Sequence, residues 1–452
     1  MEFFSHFSPE VKAVFDAIRQ AGGDAYVVGG YVRDEWLKLK GNKDIDVEVY
    51  GLEPQHLHIV LKQFGKTEKI GRSFSVFKLG CLPNFDFALA RKETKTGDGH
   101  RDFSMEYLTE RNFKEACKRR DLTINSILLD PYSGELIDPN GGIQDLENKV
   151  IRFIDEKTFK EDPLRVLRVA RMQAKLPDFH IDPDTKQVCA VMKDQLVHLS
   201  TKRIFQEYSK LLLSVQPSLG LSFLFEIKAL IKPLPLLAKT IQRADFHPEG
   251  NVWNHTLLVV DLAALCKDKT VNPLGFMWSA LLHDIGKPSV TTAQGKAPNH
   301  DLIGEPLAYQ FMYSLSCNKE LSTYVSLMVR CHMVLMNASR QGMKSYPYLK
   351  VLKRLEGRVH IDDLALLCIC DKMGRARIDR QSIENFNAYI DKMKKNYGMI
   401  ALPPLICGQD LKALGYLPGP AFSTILEDAY DQQLSGNDKQ QLINYILSKY
   451  ER

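Results

Sequence analysis

The sequence predicts an α+β chain in which a mixed α/β head precedes an all-helical body. Three observations carry this reading. Short alternating apolar runs bounded by turn residues fill residues 25–150, and helical periodicity takes over after them and persists to the end. The chain has 452 residues, whereas one hydrophobic core organises roughly 250 to 300, so the two patterns belong to separate cores. Breaks in the pattern divide the chain into a head at 1–150, a helical neck at 151–245, a second helical domain at 246–400 and a helical tail at 401–452.

The strands of the head read as Ala25-Tyr26-Val27-Val28, Ile45-Asp46-Val47-Glu48-Val49, Ser75-Val76-Phe77-Lys78-Leu79 and residues 85–90. Asp162-Pro163 is a helix start signal for a helix that runs through Arg171. Pro233, Pro235 and His247-Pro248-Glu249-Gly250 punctuate the middle, and Leu402-Pro403-Pro404 precedes the tail. Hydrophobic content of 44% and charged content of 25% fit a soluble globular protein. No apolar run approaches the roughly 18 residues that cross a bilayer. The opening Met1-Glu2-Phe3-Phe4-Ser5-His6 lacks the basic and apolar regions of a secretory signal, so a cytoplasmic location is expected. Of nine scattered cysteines, Cys368 and Cys370 lie closest, on an apolar helical stretch, and read as buried reduced thiols. A net charge of +5 does not by itself select a nucleic-acid partner. Lys118-Arg119-Arg120, Arg165, Arg168 and Arg171 nevertheless concentrate positive charge beside carboxylates.

Gly29-Gly30 follows a strand and precedes a helix, a turn whose N–H groups can face an anion. Asp44-Ile45-Asp46 comes next, and strand alternation puts its carboxylates on one face roughly 6 to 7 Å apart. A polar strand edge would explain that pair alone. Two adjacent hard-oxygen side chains also suit Mg²⁺, which takes one or two carboxylates together with substrate phosphates. Asp86, between Phe85 and Phe87, is a third acid placed to reach the same metals from a neighbouring strand. Planar guanidinium groups make bidentate phosphate contacts, so Arg33, Arg120, Arg168 and Arg171 are candidates for a triphosphate. Asp162 and Arg165, three apart, are expected on one helical face.

Gly29-Gly30-Tyr31-Val32-Arg33-Asp34 followed by Asp44-Ile45-Asp46 resembles the first motif of the nucleotidyltransferase superfamily that contains DNA polymerase beta, in its class II CCA-adding and poly(A) polymerase branch. Arg119-Arg120-Asp121-Leu122-Thr123-Ile124-Asn125 is similar to the second motif, and Glu161-Asp162-Pro163-Leu164-Arg165-Val166-Leu167-Arg168 to the templating motif; Ser126 stands where alanine is usual. The resemblance implies a polymerase-beta-like head, two-metal nucleotidyl transfer on Asp44 and Asp46 with Asp86, and CTP and ATP as substrates added to a tRNA 3′ end. It further implies a nucleotide pocket of Gly30, Arg33, Arg120, Asp121, Asn125, Glu161, Asp162, Arg165, Arg168 and Arg171, where Asp162 and Arg165 pair with the base in place of a template. The polar stretch 91–117, with Thr96-Gly97-Asp98-Gly99 as its tip, looks full length and favours complete CCA addition. Poly(A) polymerase and partial, A- or CC-adding enzymes are the alternatives.

His255, His283-Asp284, His300, His332 and Asp371 form a second constellation in the helical half. Imidazole with carboxylate suits Mn²⁺, Fe²⁺, Ni²⁺, Zn²⁺ or Mg²⁺. The order resembles the HD phosphohydrolase superfamily, with His255, His283, Asp284 and Asp371 matching its core ligands and His300 and His332 the additional histidines of two-metal versions. This implies hydrolysis of phosphate esters at RNA ends. An alternative of another class is an HD phosphohydrolase whose head only senses nucleotide. No membrane and no obligate protein partner is called for.

Overall fold

The computed structural model describes residues 7–39, 44–70, 76–95, 103–108, 110–245, 247–342, 344–375 and 380–451. The predicted loop tip Thr96-Gly97-Asp98-Gly99 and the strand start Ser75 lie outside them. The chain forms two compact units, residues 1–199 with 223–229, and residues 200–222 with 230–452.

The first unit is built on strands β1 (Asp24–Val28), β2 (Ile45–Tyr50), β3 (Thr67–Ile70), β4 (Val76–Leu79), β5 (Leu82–Leu89), β6 (Arg91–Lys95), β7 (Phe103–Tyr107), β8 (Leu128–Leu129) and β9 (Leu136–Ile137). Seven of them form one mixed sheet in the order β3-β4-β5-β2-β1-β8-β9, in which β2 and β5 run parallel, while β6 and β7 make a separate hairpin. Val27, Val47, Val49 and Phe87 are fully buried in the sheet core, as their alternation requires. The predicted helix after Gly29 spans Gly30–Trp36.

The helix predicted from Asp162 begins at Leu164 and runs to Lys175. Asp162 therefore stands ahead of the helix instead of sharing a helical face with Arg165. Pro163 occupies the cap, and the Asp162 carboxylate accepts from the Leu164 N–H at 3.1 Å. The helical reading after residue 160 also passes over a short parallel strand pair, Val150–Ile151 with His180–Ile181.

The second unit contains the helices Val252–Cys266, Pro273–Leu282, His300–Ser314, Lys319–Arg340 and Ile361–Met373, and Trp278 on the second of these is fully buried against Phe311 of the third. Asn251, Asn272 and Asn318 each cap a helix by accepting a backbone N–H. The helix Thr201–Leu212 packs here too: Phe205 stacks on Trp278 at 5.7 Å, and the indole N–H donates to Ser209 at 3.1 Å. These contacts are why the compact units divide at residue 199, well before the sequence break near 245. Cys368 and Cys370 are buried free thiols on the helix Ile361–Met373. The tail helices Gly408–Ala413, Ala421–Leu434 and Lys439–Lys449 share a small core that includes Leu411, Ile425 and Ile446. Among the described residues no helix is long and apolar enough to cross a membrane.

Candidate functional sites

In the head, the parallel pairing of β2 with β5 sets Asp46 directly beside Asp86, and Asp44 lies two residues before Asp46 at the strand entrance. Gly29, with φ of +86°, turns the chain next to them: a Cβ there would sit 3.2 Å from Asp46 Oδ2 and 3.3 Å from Arg120 Nη1. Asp46 opens to solvent, yet the protein mass behind it and the charge of Asp86 raise its pKa against the opposing pull of Arg120. Carboxylates clustered in this way are the donor set a divalent cation neutralises. Lys78 Nζ pairs with Asp86 at 2.9 Å.

Sequence reasoning passed over Glu48, although it continues the same alternation from Asp44 and Asp46. Its side chain is 1% exposed and accepts from Arg119 Nη2 at 2.7 Å, Arg120 Nη2 at 2.8 Å and the Tyr50 hydroxyl at 3.0 Å. Burial would raise its pKa, but the two guanidinium groups hold it below the usual value. The basic run at 118–120 is thus not a free surface patch: Arg119 and Arg120 turn inward, and Lys118 pairs with Glu115 at 2.7 Å.

Four of the remaining predicted residues, Arg33, Asn125, Asp121 and Arg168, are joined in one chain of ion pairs and hydrogen bonds. Lys175 meets Asp34 Oδ2 at 2.7 Å, and Asp34 Oδ1 takes Arg33 Nε at 2.9 Å. Arg33 also donates to the Asn125 side chain, Asn125 Nδ2 donates to Asp121 at 3.0 Å, and Asp121 Oδ2 accepts from Arg168 at 2.6 Å. Burial opposes ionisation of Asp121, but Arg168 keeps its pKa far below the carboxylate range. Arg33 is buried, so it acts here as a brace for this chain. Arg165 donates to the Thr158 and Arg119 carbonyls, each at 2.6 Å. Glu161 and Asp162 just ahead of the helix Leu164–Lys175, and Arg168 and Arg171 along it, are half-buried, and Gly30 opens the helix after the turn. Ser126 is fully buried and donates to the Thr123 carbonyl at 2.8 Å, so its hydroxyl is accommodated.

In the second unit, all six predicted ligands converge. His255 Nε2 lies 2.9 Å from Asp371 Oδ1, and His283 Nε2 lies 3.2 Å from Asp284 Oδ2. The other oxygen of Asp284 faces His300 Nε2 at 3.3 Å and His332 Nε2 at 3.9 Å, so this carboxylate spans two ligand groups. Gly286 permits the arrangement: a Cβ there would strike the His300 carbonyl at 2.1 Å. The Nδ1 atoms of His283 and His300 each lie 2.9 Å from a backbone carbonyl, Ala280 and Ala297, and that of His332 lies 2.6 Å from Val329 O. Three rings are thereby held with Nε2 turned inward, the arrangement of metal-ligating imidazoles. His283 Nε2 is buried and makes no hydrogen bond. Burial would raise the pKa of Asp284, but His283 and Lys287, whose Nζ is 2.6 Å away, hold it well down. Burial would lower the pKa of His255, yet its bonds to Asp371 and Glu249 raise it to about 9. Lys287, 2.6 Å from Asp284, thus offsets part of the carboxylate charge that a cation would also neutralise. Such a donor set fits a divalent metal. A cavity of about 150 Å³ adjoins the cluster, lined by Gln242, His247, Asp284, Lys287, His300, Asp371 and Arg375 among others. His247, Glu249 and Lys287 were not singled out as site residues, although the motifs containing them were visible.

Three family models match the chain in order: "Poly A polymerase head domain" over residues 25–152, "Probable RNA and SrmB- binding site of polymerase A" over 178–240, and "HD domain" over 252–375. Fold and sites together define a nucleotidyltransferase head joined to an HD domain. Among curated relatives, the multifunctional CCA protein of Azoarcus sp. (strain BH72) is 34% identical over 359 residues, covering 77% of this chain and 84% of its own. That of Actinobacillus pleuropneumoniae serotype 5b (strain L20) is 33% identical over 364 residues, covering 77% and 85%. The chain belongs to the multifunctional CCA protein family. Solved structures share the fold: a Thermotoga maritima CCA-adding enzyme complexed with tRNA aligns over 99% of this chain and 98% of its own with a TM-score of 0.59 at 20% identity. A CCA-adding enzyme complexed with CTP aligns over 100% and 98% with a TM-score of 0.62 at 19% identity.

Proposed function

We propose that this protein adds CCA to the 3′ end of tRNA from CTP and ATP without a nucleic-acid template, and that its HD domain hydrolyses phosphate esters. The observation that carries the first activity is the register pairing of Asp46 with Asp86 beside the Gly29 turn. Asp44 and Asp46, with Asp86, would hold Mg²⁺, which when bound lowers the pKa of the primer hydroxyl and offsets charge at the α-phosphate. Glu48 keeps Arg119 and Arg120 packed behind the carboxylates, so positive charge stands next to the acids at fixed geometry. Arg120, Arg168 and Arg171 receive the triphosphate, while Arg33, Asp121 and Asn125 brace the pocket. Asp162 and Arg165, with Glu161, supply the acceptor and donors for the base, and Gly30 N–H at the helix start faces phosphate.

His255, His283, Asp284, His300, His332 and Asp371 would hold one or two divalent ions, Mg²⁺ or a transition metal, which supply a hydroxide nucleophile near neutral pH. Lys287 and Arg375 line the adjoining cavity and offer cationic donors to a phosphate. The protein works in the cytoplasm, and the head, neck, HD domain and tail are proposed as separable segments, open to limited proteolysis. The test compares Asp44→Ala and His283→Ala on tRNA ending at its discriminator base. Each substitution is expected to abolish only its own activity, addition or phosphate release. Products extended beyond a single CCA would favour a poly(A) polymerase and sink the reading.

A further inference from the structure

We propose that Glu249 is a positioning residue of the HD centre, fixing the proton on two imidazoles at once. It deepens the metal-site reading above and rests on it. Glu249 lies in the turn before the helix Val252–Cys266, and its side chain is 5% exposed. One oxygen, Oε1, lies 2.8 Å from His247 Nδ1 and 3.1 Å from His255 Nδ1. The two rings meet edge to face at 5.1 Å, so both Nδ1 atoms face the same oxygen from different directions, His247 in a hydrogen bond and His255 at ion-pair distance. A carboxylate oxygen has two lone pairs and so has room for both N–H groups.

The consequence follows from imidazole chemistry. A ring whose Nδ1 carries the hydrogen and donates it to a carboxylate presents Nε2 as its ligand atom. For His255 that atom is 2.9 Å from Asp371 Oδ1, inside the ligand cluster. The Nδ1 of His255 is hydrogen-bonded to the Gly374 carbonyl at 3.3 Å, a neutral acceptor, with the Glu249 carboxylate 3.1 Å away on the same nitrogen. His247 is not among the ligands, yet it lines the cavity beside Asp284 and Lys287. Glu249 thus ties the ring that holds metal to a ring that faces the cavity. Its second oxygen is buried and makes no hydrogen bond, so the carboxylate's packing serves the imidazoles and no other donor is satisfied by that atom.

The experiment titrates Zn²⁺ into the full chain against a chromophoric chelator, for the wild type, Glu249→Gln and Glu249→Leu. Loss of an outer carboxylate typically weakens metal binding about 10–100-fold. The expected result is a loss of about tenfold or more for Glu249→Leu and a smaller loss, still more than about twofold, for Glu249→Gln, whose neutral amide oxygen keeps two lone pairs but accepts less strongly than a carboxylate. Side-chain ¹⁵N spectra of labelled histidine are expected to show His247 and His255 as Nδ1–H tautomers in the zinc-bound wild type, with His247 losing that preference in Glu249→Leu and shifted by the weaker acceptor in Glu249→Gln. Should Glu249→Leu fail to fold, the isosteric Glu249→Gln carries the test alone. Affinities within twofold of wild type in the folded variants, with unchanged histidine spectra, overturn the inference and leave the metal site standing. Absence of zinc binding by the wild type overturns both.

Discussion

Replacing Glu48 by glutamine removes one buried charge while keeping its shape, and the structure sets the size of the effect. Glu48 is 1% exposed and holds two guanidinium groups whose side chains are 14% and 17% exposed. Removing one partner from a buried ion pair costs about 3–5 kcal/mol, because the remaining charge is left desolvated. Both arginines retain slight access to water, and the amide oxygen still accepts one hydrogen bond, so the low end applies, about 3 kcal/mol. In a unit of this size, 1 kcal/mol moves Tm by about 2–4 °C, so the head transition in calorimetry should fall by about 6–12 °C while the second transition stays in place. The pH dependence carries the same signature. Burial favours protonation of Glu48, but Arg119 and Arg120 depress its folded pKa below 4.5, so its stabilisation is present above about 4.5 and is lost as pH falls toward the folded value. Glu48→Gln should therefore flatten the acid limb of the stability profile. A drop under about 2 °C with the acid limb intact would refute the reasoning.

Asp46→Asn should reduce CTP and ATP incorporation by at least about a thousandfold while zinc binding by the HD domain is unchanged, since the acid acts only within the head. Gly286→Ala should sharply weaken metal binding or prevent folding of the second unit, because the added Cβ meets the His300 carbonyl at 2.1 Å; calorimetry with zinc titration checks this. Stripping divalent ions with a chelator should lower the Tm of the second unit, and restoring Zn²⁺ at about 100 times Kd should return about 2.7 kcal/mol. Asp121→Asn should lower head stability chiefly above pH 4, since Arg168, against the pull of burial, depresses the aspartate's pKa from 3.8 and its contribution is lost as pH falls below that value.

The local chemistry of both sites was legible in the residue order. Alternation placed Asp44, Asp46 and Glu48 on a strand, an apolar helix ended at His283, and the ligand types of the HD centre appeared in sequence. Periodicity reports which face a side chain takes within its own element, and that much the sequence by itself determined, together with the resemblance its motifs carry. Only tertiary structure decided what lies across from each face. The register of β2 against β5 puts Asp86 beside Asp46, and the fold turns Arg119 and Arg120 inward onto Glu48. His255 and Asp371 meet across 116 residues of sequence, and Asp284 serves two groups of histidines. Glu249 touches two imidazoles at once through a turn with no periodic signal. Such pairings depend on how strands register and helices cross, which is set by packing between distant segments, and spacing along the chain contains no record of it.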